Sequence, residues 1–155
     1  MLHLLVSVIL GQAQPSAPLL DLPLTAAPLQ APKVLVDLKL KPVTISQIEY
    51  EPAKETIRVF RYTFKGDFTN LLTKWQAALE KEGWTYQKRG EDGVAAFERT
   101  KSKSPLIRQA FLVRRAKISR DESMRAATKI DARAKGWIGI SYNEIVPLGY
   151  WDKKR

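Results

Sequence analysis

One segment of this chain, Asp67 to Gly83, carries the period of a helix, while most other apolar runs carry that of a strand. Phe68, Leu71, Leu72, Trp75 and Leu79 recur at intervals of three and four, so they share one face of a helix. Asp67 stands where a carboxylate accepts from the free N–H groups of the first turn. Gly83 stands where a left-handed residue ends the helix. The spacing predicts a helix over about 68–82, with its aromatic residues in the core.

Around this helix the period is two. Val34, Val36, Leu38 and Leu40 alternate with Leu35, Asp37, Lys39 and Lys41, which predicts a strand ended by Pro42. Residues 56–64, TIRVFRYTF, are apolar on both faces and suit an interior strand. Two short strands flank the turn Gly90–Gly93, in a register that sets Tyr86 opposite Phe97 and Trp84 opposite Arg99. Residues 104–120 carry a helix-start signal at Ser104–Pro105, yet Phe111, Val113 and, past a bulge, Ala116 and Ile118 favour a strand.

Residues 124–134 alternate again. A three-residue loop, Ala134 to Gly136, would set Ala132, Ile130 and Thr128 opposite Ile138, Ile140 and Tyr142 and make one face apolar throughout. The expected fold class is α+β: a mostly antiparallel sheet of about five or six strands, with one amphipathic helix packed on one face.

The N-terminal segment reads differently. An apolar run from Leu4 to Leu10, followed by Gly11-Gln12-Ala13, predicts a signal peptide over 1–13, cut after Ala13. The run is too short to span a membrane. Residues 14–32 hold five prolines and no Lys or Arg, which predicts an extended linker. A single domain is then expected over 33–155, secreted or periplasmic.

The chemistry available to such a chain is narrow. It has no Cys, and its single histidine, His3, lies in the expected leader. A mature chain without either cannot build a Ser-His-Asp triad, a Cys-His pair or the usual His/Cys metal sites. No dinucleotide or P-loop glycine motif occurs, so no cofactor, metal or catalytic residue is expected. Glu49, Glu51 and Glu55 cluster around Pro52 and are expected in a solvated loop.

Charge is the remaining signal. Of the net +10, the stretch from Arg99 to Lys135 supplies +9, with twelve Lys/Arg against three acids. Arg114, Arg115, Lys117, Arg120, Lys129, Arg133 and Trp137 are the candidate residues for an anionic partner. Arginine forks suit carboxylate and phosphate oxygens, and an indole stacks on a guanidinium. The expected function is an exported, non-catalytic binding domain for an anionic envelope polymer or envelope protein. A nucleic-acid-binding domain is the alternative if the leader is not a signal peptide, and a carboxylate-based hydrolase stands third.

Overall fold

The computed structural model describes residues 19–87, 94–115 and 137–152. Seven strands form one antiparallel sheet: β1 (Leu20–Leu22), β2 (Thr44–Tyr50), β3 (Glu55–Lys65), β4 (Thr85–Gln87), β5 (Val94–Lys103), β6 (Leu106–Arg115) and β7 (Trp137–Pro147). Their order is β1-β2-β3-β7-β6-β5-β4. The last strand lies in the middle, bonded to β3 along one edge and to β6 along the other. Among the described residues two α-helices accompany the sheet, α1 (Lys33–Asp37) and α2 (Phe68–Lys81). The class is therefore roughly α+β, with more strands than expected. No helix among the described residues is long and apolar enough to cross a membrane.

Helix α2 forms as its sequence requires. The Asp67 carboxylate accepts from the N–H groups of Thr69 at 2.8 Å and Asn70 at 3.4 Å. Gly83 follows the helix at φ 88°, a conformation that costs a residue with a Cβ about 1–2 kcal/mol. Phe68, Trp75 and Leu79 are buried against the sheet, and Leu71 and Leu72 pack half-buried beside them.

The face beneath α2 is a continuous core. Alternation along each strand brings Ile45, Phe60, Tyr142, Phe111, Phe97 and Tyr86 into one row across six strands. Ring centroids along it lie 5.8 Å apart for Phe60–Tyr142, 6.3 Å for Phe97–Phe111 and 5.3 Å for Tyr86–Phe97. Such tilted pairs contribute about 0.5–1.5 kcal/mol each beyond the area they bury. The Tyr86–Phe97 register is the expected one.

Four expectations are corrected. Residues 33–37 form α1, not a strand. Apolar side chains occupy 34, 35, 36, 38 and 40, so the alternation did not discriminate. The Lys33 N–H donates to the Glu82 carboxylate at 3.0 Å, and Val34 and Leu35 are both buried, a placement that one strand face cannot give. Glu49, Glu51 and Glu55 do not share a loop: Glu49 is in β2, Glu51 in a 3-10 turn, and Glu55 opens β3.

The extended chain expected over 14–32 is, from Leu20 onward, included in the folded unit, with β1 paired to β2. Finally, both edges of β7 from Ile138 to Ile145 are bonded to β3 and β6. Ile138, Ile140 and Tyr142 therefore face Phe64, Tyr62 and Phe60 on one side and Arg115, Val113 and Phe111 on the other. No edge remains there for the expected partner strand, whose residues 124–134 and loop 134–136 lie outside the described residues. Residues 106–115 are a strand, as favoured. A two-residue turn, Ser104–Pro105, with a cis peptide bond, joins it to β5.

Candidate functional site

One step along the strands from the aromatic row, on the same face, the side chains change character. Gln47, Arg58, Glu144, Gln109 and Arg99 stand side by side across β2, β3, β7, β6 and β5. In each strand the polar residue sits two positions from a core residue: Gln47 after Ile45, Arg58 before Phe60, Glu144 after Tyr142, Gln109 before Phe111 and Arg99 after Phe97. Period two forces both members of each pair onto one face, so the core ends in a polar row.

Its two arginines are fixed in the same way. The Arg58 Nε donates to the Gln47 carbonyl oxygen at 2.9 Å, and its guanidinium lies 3.8 Å from the Trp151 ring centroid. The Arg99 Nε donates to the Gln109 carbonyl oxygen at 2.8 Å, and its guanidinium lies 4.6 Å from the Trp84 ring centroid. Arg99 also donates to the main-chain oxygen of Glu82 at 3.1 Å, which ties the end of α2 to the sheet. Stacked, hydrogen-bonded guanidiniums are held in place by several partners at once.

The centre of the row holds a segment of main chain. Glu144 is fully buried. Its Oε2 accepts from the main-chain N–H of Leu29 at 2.6 Å and of Gln30 at 3.3 Å. The Gln30 carbonyl lies 2.8 Å from the Tyr142 hydroxyl and 2.9 Å from Gln109 Nε2, and that amide also donates to the Tyr142 oxygen at 2.7 Å. Burial pushes the Glu144 carboxyl above its ordinary range; its hydrogen bonds to Tyr142, Gln30 and Leu29 and the Lys101 charge act the other way. Burial, and then the Glu144 charge, push the Tyr62 phenol up to about 12.

The reverse face carries smaller side chains. Ile57, Val59 and Ile145 form one cluster, and Ala96 and Leu112 another. Arg108 on this face is ion-paired to Glu55 across β7. Near it, an open groove of about 270 Å³ is lined in part by Thr85, Gln87, Glu98, Thr100 and Arg108. The register puts Glu49 opposite Thr56 and Glu55 opposite Tyr50. Glu49 and Glu55 therefore point to opposite faces and form no carboxylate pair. Among the described residues no group of three or more His, Cys, Asp or Glu could hold a metal ion.

Of the candidate anion-binding residues, Arg114 is half-buried on β6, opposite Val94 and Gly139. Arg115 ends β6 and Trp137 opens β7, opposite Lys65. Lys117, Arg120, Lys129 and Arg133 lie outside the described residues, so their convergence on one face does too. Among the residues of β5 and β6 whose burial is described, the exposed cations are a pair that sequence reasoning left aside, Lys101 and Lys103 at the β5–β6 turn. The β5 register shifts between Thr100 and Ser102, a bulge centred on Lys101. Neither a protein-family model, a curated protein nor a solved structure matches this chain.

Proposed function

We propose that this protein is an exported, non-catalytic binding domain whose basic side engages an anionic envelope polymer or an acidic envelope protein. The observation that carries it is the division of labour among the cations of β5 and β6. Six Lys/Arg and no acid lie between Arg99 and Arg115. Arg99 is bound to Trp84, Gln109 and Glu82, and Arg108 is bound to Glu55, so both serve the fold. Lys101 and Lys103 are exposed at the turn, beside a Leu106 that is 45% exposed. Charge concentrated at one end of a rigid sheet gives an electrostatic footing for a polyanion and sets the orientation of its approach.

Replacing Lys101 and Lys103 together by Glu is expected to lower the salt concentration that elutes the protein from a heparin column. The change should clearly exceed that of Lys39→Glu with Lys41→Glu, which alters the net charge equally at an exposed site near α1. Equal losses would mean that net charge alone governs retention and would remove the site. Export has its own readout: the intact mass of protein purified from its native host should correspond to a chain starting at Gln14, and a retained Leu4–Leu10 run would overturn it.

A further inference from the structure

We infer that the Leu29–Gln30 segment is a proton-operated strap. It is held on the sheet while the buried Glu144 carboxyl carries a proton and is released when that proton leaves. The strap does not depend on the anionic partner proposed above.

The geometry sets the proton count. Two oxygens approach the Tyr142 hydroxyl at hydrogen-bond distance: the Gln30 carbonyl oxygen at 2.8 Å and Glu144 Oε2 at 2.8 Å. Each O···O contact needs one hydrogen between its oxygens, and a phenol has one to give. Gln109 Nε2 sends its two hydrogens to the Tyr142 oxygen at 2.7 Å and the Gln30 oxygen at 2.9 Å, so it supplies none to the Glu144 contact.

With Glu144 protonated, both oxygen contacts of the Tyr142 hydroxyl are matched. The carboxyl donates to the Tyr142 oxygen, Tyr142 donates to the Gln30 carbonyl, and Oε2 still accepts from the Leu29 N–H. With Glu144 ionised, the Leu29 and Gln30 N–H bonds to Oε2 strengthen, but Tyr142 must donate to the carboxylate. Its oxygen then faces the Gln30 oxygen at 2.8 Å with no hydrogen between them. Among the described residues Glu144 Oε1 has no hydrogen-bond partner, which a buried neutral acid tolerates far better than a carboxylate.

The charged and titratable groups facing Glu144 come from three strands. Arg58 on β3 stands opposite it, with its guanidinium stacked on Trp151. Arg99 and Lys101 approach from β5, and Tyr62 and Tyr142 from β3 and β7. The Lys101 charge favours the ionised form. Burial favours the neutral form and outweighs that charge and the hydrogen bonds together.

Strapped, Glu144 keeps its proton to a pH above the ordinary value of an exposed carboxyl. The strap is therefore fully held below that value and loosens as pH rises through the raised value of the held state. Loosening uncovers Glu144 and Gln109 between the two stacked arginines.

The test is amide hydrogen exchange of Leu29 and Gln30 in the full chain, with intrinsic rates removed, from about pH 4 to pH 8. Protection should fall by up to about tenfold per pH unit above the exposed carboxyl value and then level off. In Glu144→Gln, which cannot ionise, the fall should vanish. Flat protection in the wild type, or a fall that persists in Glu144→Gln, overturns the strap. Should that variant fail to fold, the carbon-13 titration of the wild-type Glu144 carboxyl decides: a midpoint above the ordinary range, coincident with the loss of protection, supports it, and a midpoint at or below that range refutes it.

Discussion

Phe111→Ala is expected to cost about 3–5 kcal/mol of folding stability, a large share of the roughly 5–15 kcal/mol typical of a domain. The ring is fully buried on β6, with centroids 6.3 Å from Trp75, 6.2 Å from Trp84 and 6.3 Å from Phe97. It is the point where α2, the Trp84 that follows it and the sheet meet. Its neighbours have little freedom to collapse into the space, because β6 is bonded along both edges by β5 and β7. The loss therefore combines transfer and cavity contributions. Denaturant unfolding with an unchanged dependence on denaturant would read it directly. A loss below about 1.5 kcal/mol would mean that the core repacks around the site and that the rings do not form one rigid unit.

Tyr142→Phe is expected to cost about 2–3 kcal/mol although the ring keeps its shape and place. The hydroxyl is the hub of three contacts, to Gln109 Nε2 at 2.7 Å, the Gln30 oxygen at 2.8 Å and Glu144 Oε2 at 2.8 Å. Without it one Gln109 hydrogen loses its partner, and the fully buried Glu144 carboxyl keeps only the Leu29 and Gln30 N–H groups. Each stranded buried polar group costs about 1–3 kcal/mol. Protease cleavage between β1 and α1 should accelerate at the same time, since the Gln30 carbonyl would keep only the Gln109 bond. A variant as stable as the wild type, with residues 29–30 equally protected, would show that the hub contributes nothing net.

The helix, the interior strand and the β4–β5 register were legible because each rests on information local in sequence. Asp67, the five-residue apolar face and Gly83 lie within one segment, and Tyr86 pairs with Phe97 a short distance along the chain; the expected turn Gly90–Gly93 lies outside the described residues. The polar row was not legible as a site, though it left a signal. A polar residue two positions from a core residue recurs in five strands, and read singly each instance looks like an ordinary strand end. The anionic site was sought where basic residues are densest. Among the described residues of that stretch, however, Arg99 is fixed by Trp84 and Gln109 and Arg108 by Glu55, and the exposed cations sit at a turn.

By itself the sequence determined element type where the period was clean and local, and which faces are apolar. Only the tertiary structure decided which strands pair and what the turns bring together. Alternation states that a strand has a buried face but says nothing about its edges, and main-chain N–H and C=O groups are alike in every strand. The strands before α2 and those after it therefore closed around β7, and Leu29–Gln30 came to rest on a carboxyl more than a hundred residues away.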